Sequence, residues 1–256
     1  MEVHAHTHTA PAHGGTGRKK WTHYFWEFLM LFLAVFAGFL AENKREHYVE
    51  HQREKQYMSS LVQDLKEDTT YLKKVITTHD LSLKMIDTLI ALLKSKNRNH
   101  SVKEIYYLAR IIPFRDQAIL LHDKTFEQMK SSGSLRLIQS SFALKNISDY
   151  YEDYKWISAG PSIMEIRNRQ ELFLSLEKVF DMGVFQEMIH SLDPFTPDYP
   201  KTDPVLFSND EREINSVCAR YHFMYGTKKV LFSSAKNLFN SANNLIQLLK
   251  KEYHLK

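Results

Sequence analysis

At 256 residues, 43% hydrophobic and 25% charged, the chain has room for one large or two small globular domains. Its 8 glycines and 7 prolines are few, which argues against a loop-rich all-β fold and for long uninterrupted elements. The net charge of +4 is spread among interleaved acids and bases, as in Lys66-Glu67-Asp68 and Glu211-Arg212-Glu213. The concentrated basic stripe of a nucleic-acid binder is therefore missing.

Residues 1–20 read as a disordered, His-rich tail that opens MEVHAHTHTAPAHGG. Alternating imidazoles suit a transition metal. Without a fold to fix geometry, His4, His6 and His8 are candidates for adventitious binding rather than a tuned site.

Residues 21–41 read as a transmembrane helix. From Tyr24 to Ala41 the chain runs YFWEFLMLFLAVFAGFLA with Glu27 as its only charge. As a helix this stretch is about 27 Å long, close to the thickness of a bilayer's hydrocarbon core. Arg18, Lys19 and Lys20 precede it, and Trp21, Tyr24 and Trp26 form the aromatic belt expected at the interface; these six are the candidate membrane anchors. A cleaved signal peptide is the first rival reading, with Val35-Phe36-Ala37 as the cleavage pattern, but the apolar run continues through Phe39 and Leu40. The second rival, a buried core helix, would carry a polar stripe, and Phe28 to Leu40 has none. Beyond the segment, Lys and Arg alternate with Glu, so loop charge gives no decisive bias. A basic leader before a first apolar segment resembles a signal anchor. That places the N-terminus in the cytoplasm and the following domain in the periplasm.

Residues 42–56 form a charged helical stalk, and residues 57–256 a helical bundle domain. No Gly or Pro occurs between Glu42 and Lys96, and apolar residues recur at helical spacing. With Met58 as heptad position a, Leu65, Leu72, His79, Ile86 and Leu93 continue the series, while Asp68 and Ser82 interrupt position d. His79 reads as a hydrogen-bonded packing or register residue. Ser95 to Ser101 is a turn by composition. Helices are then expected over Lys103–Ile112, over Arg115–Ser131 with Gly133 after it, and from about Leu135 to Ser158. Gly160-Pro161 breaks the last of these before a helix from Ile163 to about His190. Four prolines between Asp193 and Asp210 mark an irregular connection. The final helix carries Ile214, Val217, Tyr221, Met224, Leu231 and Leu238 at steps of three and four. Asn209 or Asp210 is its N-cap, and Lys228, within the stripe, is expected to snorkel. Cys218 lies in this apolar stretch and reads as a buried, inert thiol; a lone cysteine makes no internal disulfide. The fold class is all-α: a transmembrane helix continuing into a long helix, then an antiparallel helical bundle.

Several stretches together resemble an uncharacterised family of small, single-pass, membrane-anchored helical proteins from Gram-negative bacteria. They are GFLAENKREH (Gly38 to His47), YMSSLVQDLKEDTTYL (Tyr57 to Leu72), TFEQMKSSGSLRLI (Thr125 to Ile138) and LIQLLKKEYHL (Leu245 to Leu255). The resemblance covers most of the chain. It implies an uncleaved inner-membrane anchor and an architecture, with no catalytic residues.

Motifs that carry chemistry elsewhere lack their context here. His47-Tyr48-Val49-Glu50-His51 fits a zinc-peptidase spacing but sits in the solvated stalk with no third ligand in view. Glu187-Met188-Ile189-His190 has the E-x-x-H spacing of di-iron bundles without the second pair those sites need. Ser131 to Ser134 reads as a helix C-cap and turn rather than a phosphate loop. No cofactor is implied and no enzyme is expected. The expected function is a non-enzymatic, membrane-anchored scaffold or interaction module, partnered by the lipid bilayer and by another protein or its own copy. The alternative is a periplasmic ligand-sensing bundle that signals through a membrane partner.

Overall fold

A computed structural model describes residues 17–115, 118–189 and 197–255, with side chains from residue 21 onward. Every regular element among them is helical. Helix α1 spans Gly17–Lys94, α2 Val102–Ile111, α3 Lys124–Ser131, α4 Ser141–Ala159, α5 Pro161–Val179, α6 Met182–Glu187 and α7 Glu211–Glu252. Short 3-10 turns cover Arg98–His100 and Ser134–Leu137. Two compact units are distinguished, one through Arg53 and one from Glu54 onward.

In the second unit the α1 residues from Glu54, the α4–α5 pair and α7 enclose two apolar clusters. The first joins Met58 to Val75 of α1, Ala143 to Ile157 of α4 and Leu231 to Leu249 of α7. The second joins Ile86 to Leu93 of α1, Leu172 to Val179 of α5 and Ile214 to Met224 of α7, and α2 packs into it. Reading each helix through the clusters in chain order gives the directions. Helix α1 and the α4–α5 pair run the same way, and α7 runs against both, as an all-α antiparallel bundle requires. Each fully buried Leu or Ile adds roughly 1.5–3 kcal/mol relative to exposure.

The local signals behave as their chemistry demands. Pro161 takes the first position of α5, where its missing N–H costs nothing, and Gly160 caps α4. Gly133 follows α3 with φ of +69°, a left-handed cap that a side chain resists. Asp210 is the N-cap of α7, its carboxylate accepting from the N–H groups of Arg212 and Glu213 at 2.7 and 3.2 Å.

Three expectations are corrected. The helix expected from Arg115 begins only at Lys124: residues 118–123 are a crossover that runs back along α1 in extended form. Ile119 and Leu121 are buried while Leu120 between them is 64% exposed, the two-residue alternation of an extended chain. The helix expected from Leu135 to Ser158 begins instead at Ser141, after a 3-10 turn. Ser140 caps it by accepting from the Ala143 N–H at 3.1 Å. The helix from Ile163 is two elements, α5 and α6, because Phe180 adopts an extended backbone and Asp181 starts α6 as its N-cap.

Candidate functional site

In the first unit, one helical window with mean hydropathy 1.9 is long and apolar enough to cross a membrane, and none of it is buried. Trp21, Tyr24 and Trp26 are exposed by 76%, 63% and 61%. Phe28, Phe32 and Phe36 stack at successive one-turn steps, with centroids 6.3 and 6.0 Å apart. A soluble domain would bury such a face. Arg18, Lys19 and Lys20 fall in the first turns of α1, and their side chains lie outside the described residues. His4, His6 and His8 lie outside them altogether. Further along α1, His47 Nδ1 sits 3.9 Å from Glu50 Oε2, both side chains exposed, as a solvated helix face does.

In the second unit the polar residues of the α1 seam form a row with a purpose. The crossover chain has few helical hydrogen bonds of its own, so its backbone groups need other partners. Helix α1 supplies them. Outside the crossover, Glu54 Oε1 does the same for the link into α4, accepting from the Gln139 N–H at 2.9 Å, and it also accepts from the Tyr253 hydroxyl at 2.7 Å. Asp68 accepts from the His122 N–H at 2.8 Å, from its ring Nδ1 at 2.9 Å and from the Tyr150 hydroxyl at 2.9 Å. Ser82 Oγ lies 3.1 Å from the Arg115 carbonyl, and the Tyr71 hydroxyl donates to the Ala118 carbonyl. The Tyr151 hydroxyl donates to the His122 carbonyl at 3.2 Å from the α4 side.

The electrostatics of this row follow from burial. Removal from water pushes the Asp68 carboxyl above the usual carboxylate range, against the pull of its His122 and Tyr150 hydrogen bonds. His122, hydrogen-bonded to Asp68, holds its proton above the ordinary imidazole value. Burial and the Asp68 charge push the Tyr150 phenol up, and Tyr151 shifts the same way.

Lys228 does not snorkel. It is fully buried, and its Nζ lies 3.1 Å from Glu165 Oε1, outside hydrogen-bond geometry. Glu165 is 2% exposed and its Oε2 accepts from the Thr227 hydroxyl at 2.6 Å. In sequence Glu165 lies between the first-cluster residue Ile157 and the second-cluster residue Leu172, and Lys228 between Met224 and Leu231. His79 is likewise fully buried, between Val75 and Ile86. A polar layer therefore divides the core at its waist.

Sequence reasoning missed Glu54, Glu165 and His122. A signal for the first was present: Glu54, Asp68 and Ser82 stand two heptads apart at position d, alternating with Leu61, Val75 and Leu89. Cys218 is 3% exposed, and burial raises its thiol pKa, which leaves it unreactive. Glu187 is exposed at the end of α6, and its motif partner His190 lies outside the described residues. Among the described residues no group of three or more His, Cys, Asp or Glu side chains is arranged to hold a metal ion.

Among the grooves that open on the second unit, two are flanked by aromatic side chains. One, of about 520 Å³, lies against α3 and α4, where Phe126 stacks on Tyr151 at 4.3 Å beside Tyr154, Asp123 and Lys155. The other, of about 540 Å³, is bounded by α2, α5 and α6. Comparison of the chain with protein-family models, with curated proteins and with solved structures finds no match in any of the three.

Proposed function

We propose that this chain is a non-enzymatic, membrane-anchored helical module of the bacterial envelope, whose bundle docks a partner protein or a second copy of itself. The observation that carries the reading is the span from Trp21 to Ala41, where every described side chain except Leu29 is exposed. An apolar helix left bare in this way is at its free-energy minimum in lipid, where its backbone is already satisfied internally. Continuation of α1 without a break beyond Val35-Phe36-Ala37 supports an anchor over a cleaved signal. In this reading Arg18, Lys19 and Lys20 stay on the cytoplasmic side and the bundle is periplasmic. The resemblance to membrane-anchored helical proteins of Gram-negative bacteria supports the same address.

Fractionation tests this. The full chain should stay with membranes through an alkaline carbonate wash, and deletion of Tyr24 to Ala41 should release it. In spheroplasts, added protease should digest the bundle. A full-length product in the soluble fraction would overturn the anchor, and a protected bundle would reverse the orientation. Crosslinked pull-downs with and without the span then separate docking from address. The half-open grooves favour a second reading, in which the bundle senses a small ligand and passes the signal to a membrane partner.

A further inference from the structure

The groove bounded by α2, α5 and α6 holds a cation with no counter-charge among the described residues. Its walls are almost wholly apolar: Phe114, Phe173, Leu176, Met182, Phe185 and Ile189 line it. Arg110 lines it too, its guanidinium lying over the Phe114 ring at 4.0 Å. Nη1 of Arg110 is shut away from solvent and bonded to nothing among the described residues, and no carboxylate among them comes within ion-pair distance. Burial lowers the Arg110 pKa with no neighbouring acid to offset it. Glu177, the other charged lining residue, is exposed and makes no ion pair with Arg110.

A guanidinium nitrogen shut away from water without an acceptor is costly, and the fold keeps Arg110 Nη1 in that state on the wall of an apolar trough. The chemistry that repairs the deficit is an anion, and the chemistry that fills the trough is hydrocarbon. A planar guanidinium matches a carboxylate in bidentate geometry, and one unpaired cation balances one negative charge. The volume, about 540 Å³, lies within the roughly 300–1,000 Å³ of small-molecule sites. We propose that this groove binds a free, single-chain fatty carboxylate, its head on Arg110 and its chain along Phe114, Phe173, Leu176 and Phe185. Glu177 opposes the carboxylate, so the head sits on the α2 side and the chain runs toward α5 and α6. The inference rests on the bundle's own groove and is independent of the anchoring proposed above.

The test uses the full chain in phosphatidylcholine nanodiscs, labelled with a diazirine analogue of dodecanoate and mapped by peptide mass spectrometry. Label should concentrate on residues 173–189. Unlabelled dodecanoate should compete, while dodecanol and butyrate should do so at least tenfold less well. Arg110→Gln should lose tenfold or more in labelling, Arg110→Lys should retain part, and Glu177→Gln should label more strongly. Because Arg110→Gln touches packed groups, its thermal midpoint is measured alongside. Phe173→Ala, on a partly exposed wall, gives a second loss of labelling without a charge change. Equal competition by dodecanol, undiminished labelling of a folded Arg110→Gln protein, or label spread over Trp21 to Ala41 would overturn the proposal. So would displacement by phosphatidylglycerol in the discs, which would make a membrane lipid the occupant, or protection of the groove by a second copy of the chain.

Discussion

Removing the Lys228 cation should destabilise the bundle far more than removing the whole Glu165–Lys228 pair. In Lys228→Met the stem volume is kept, but a carboxylate that is 2% exposed is left with the Thr227 hydroxyl and no charge partner. Breaking a buried pair from one side costs about 3–5 kcal/mol, a large part of the ~5–15 kcal/mol that holds a typical domain together. For a domain of this size that is a fall of roughly 10 °C in thermal midpoint. In the double variant Glu165→Gln with Lys228→Met, the amide still accepts from Thr227 and no net charge is buried. The double variant should therefore recover most of the loss, with a coupling energy of about 2–3 kcal/mol between the two sites. Urea unfolding of the full chain in one fixed detergent, followed by far-ultraviolet circular dichroism, gives all four corners of the cycle. Single variants within about 0.5 kcal/mol of the parent, or losses that simply add, would refute the account of the waist as a mutually dependent charge pair.

The row of side chains along α1 makes its own predictions. Asp68→Ala strands the His122 N–H and the Tyr150 hydroxyl, and should cost about 2–5 kcal/mol. Amide exchange at His122 should accelerate before exchange in α7 does, and unchanged protection there would refute the role given to Asp68 in holding the crossover. His122 has a pKa raised by Asp68, so the folded state binds the extra proton. Its contribution is complete below the ordinary imidazole value of about 6.5 and is lost as pH rises through the higher folded value. The raised Asp68 carboxyl has the same sign in a more acidic window, which opens at the usual carboxylate value and closes at the higher folded one. Stability should thus be lower at pH 8.5 than at pH 6, by less than about 1 kcal/mol because the His122 side chain is 44% exposed. His122→Gln should flatten that slope in paired urea titrations. Asp210→Ala removes the acceptor for two N–H groups at the start of α7 and should cost about 1 kcal/mol by the same assay, with Asp210→Asn close to the parent.

What could be read from the sequence was what local chemistry decides. The bare apolar run, the Gly-free and Pro-free stretch of α1, the three-four stripe of α7, the cap at Asp210 and the break at Gly160-Pro161 each depend on neighbours in the chain. The extended crossover was misread because Ile119 and Leu121 fit a short helix as readily as a strand when only nearby residues are compared. Its conformation is fixed by Asp68, Tyr71 and Ser82, dozens of residues away. Lys228 was misread for the same reason: a lysine in an apolar stripe usually reaches for water, and the carboxylate of the distant Glu165 meets it inside. Arg110 Nη1, without an acceptor among the described residues, leaves no trace in spacing at all, since it is seen only when the side chains around it are placed.

The alternation of polar and apolar residues at position d of α1 works like a vernier scale. A heptad pattern by itself is blind to a slip of one repeat, because leucine replaces leucine and the apolar seam closes again. Here a one-repeat slip would set Leu61, Val75 and Leu89 against the amides and carbonyls of the crossover and of the link into α4, while Glu54, Asp68 and Ser82 faced hydrocarbon. Every rung would fail together. Only a shift of two full repeats restores the match, and that shift leaves a rung hanging past the end of the ladder.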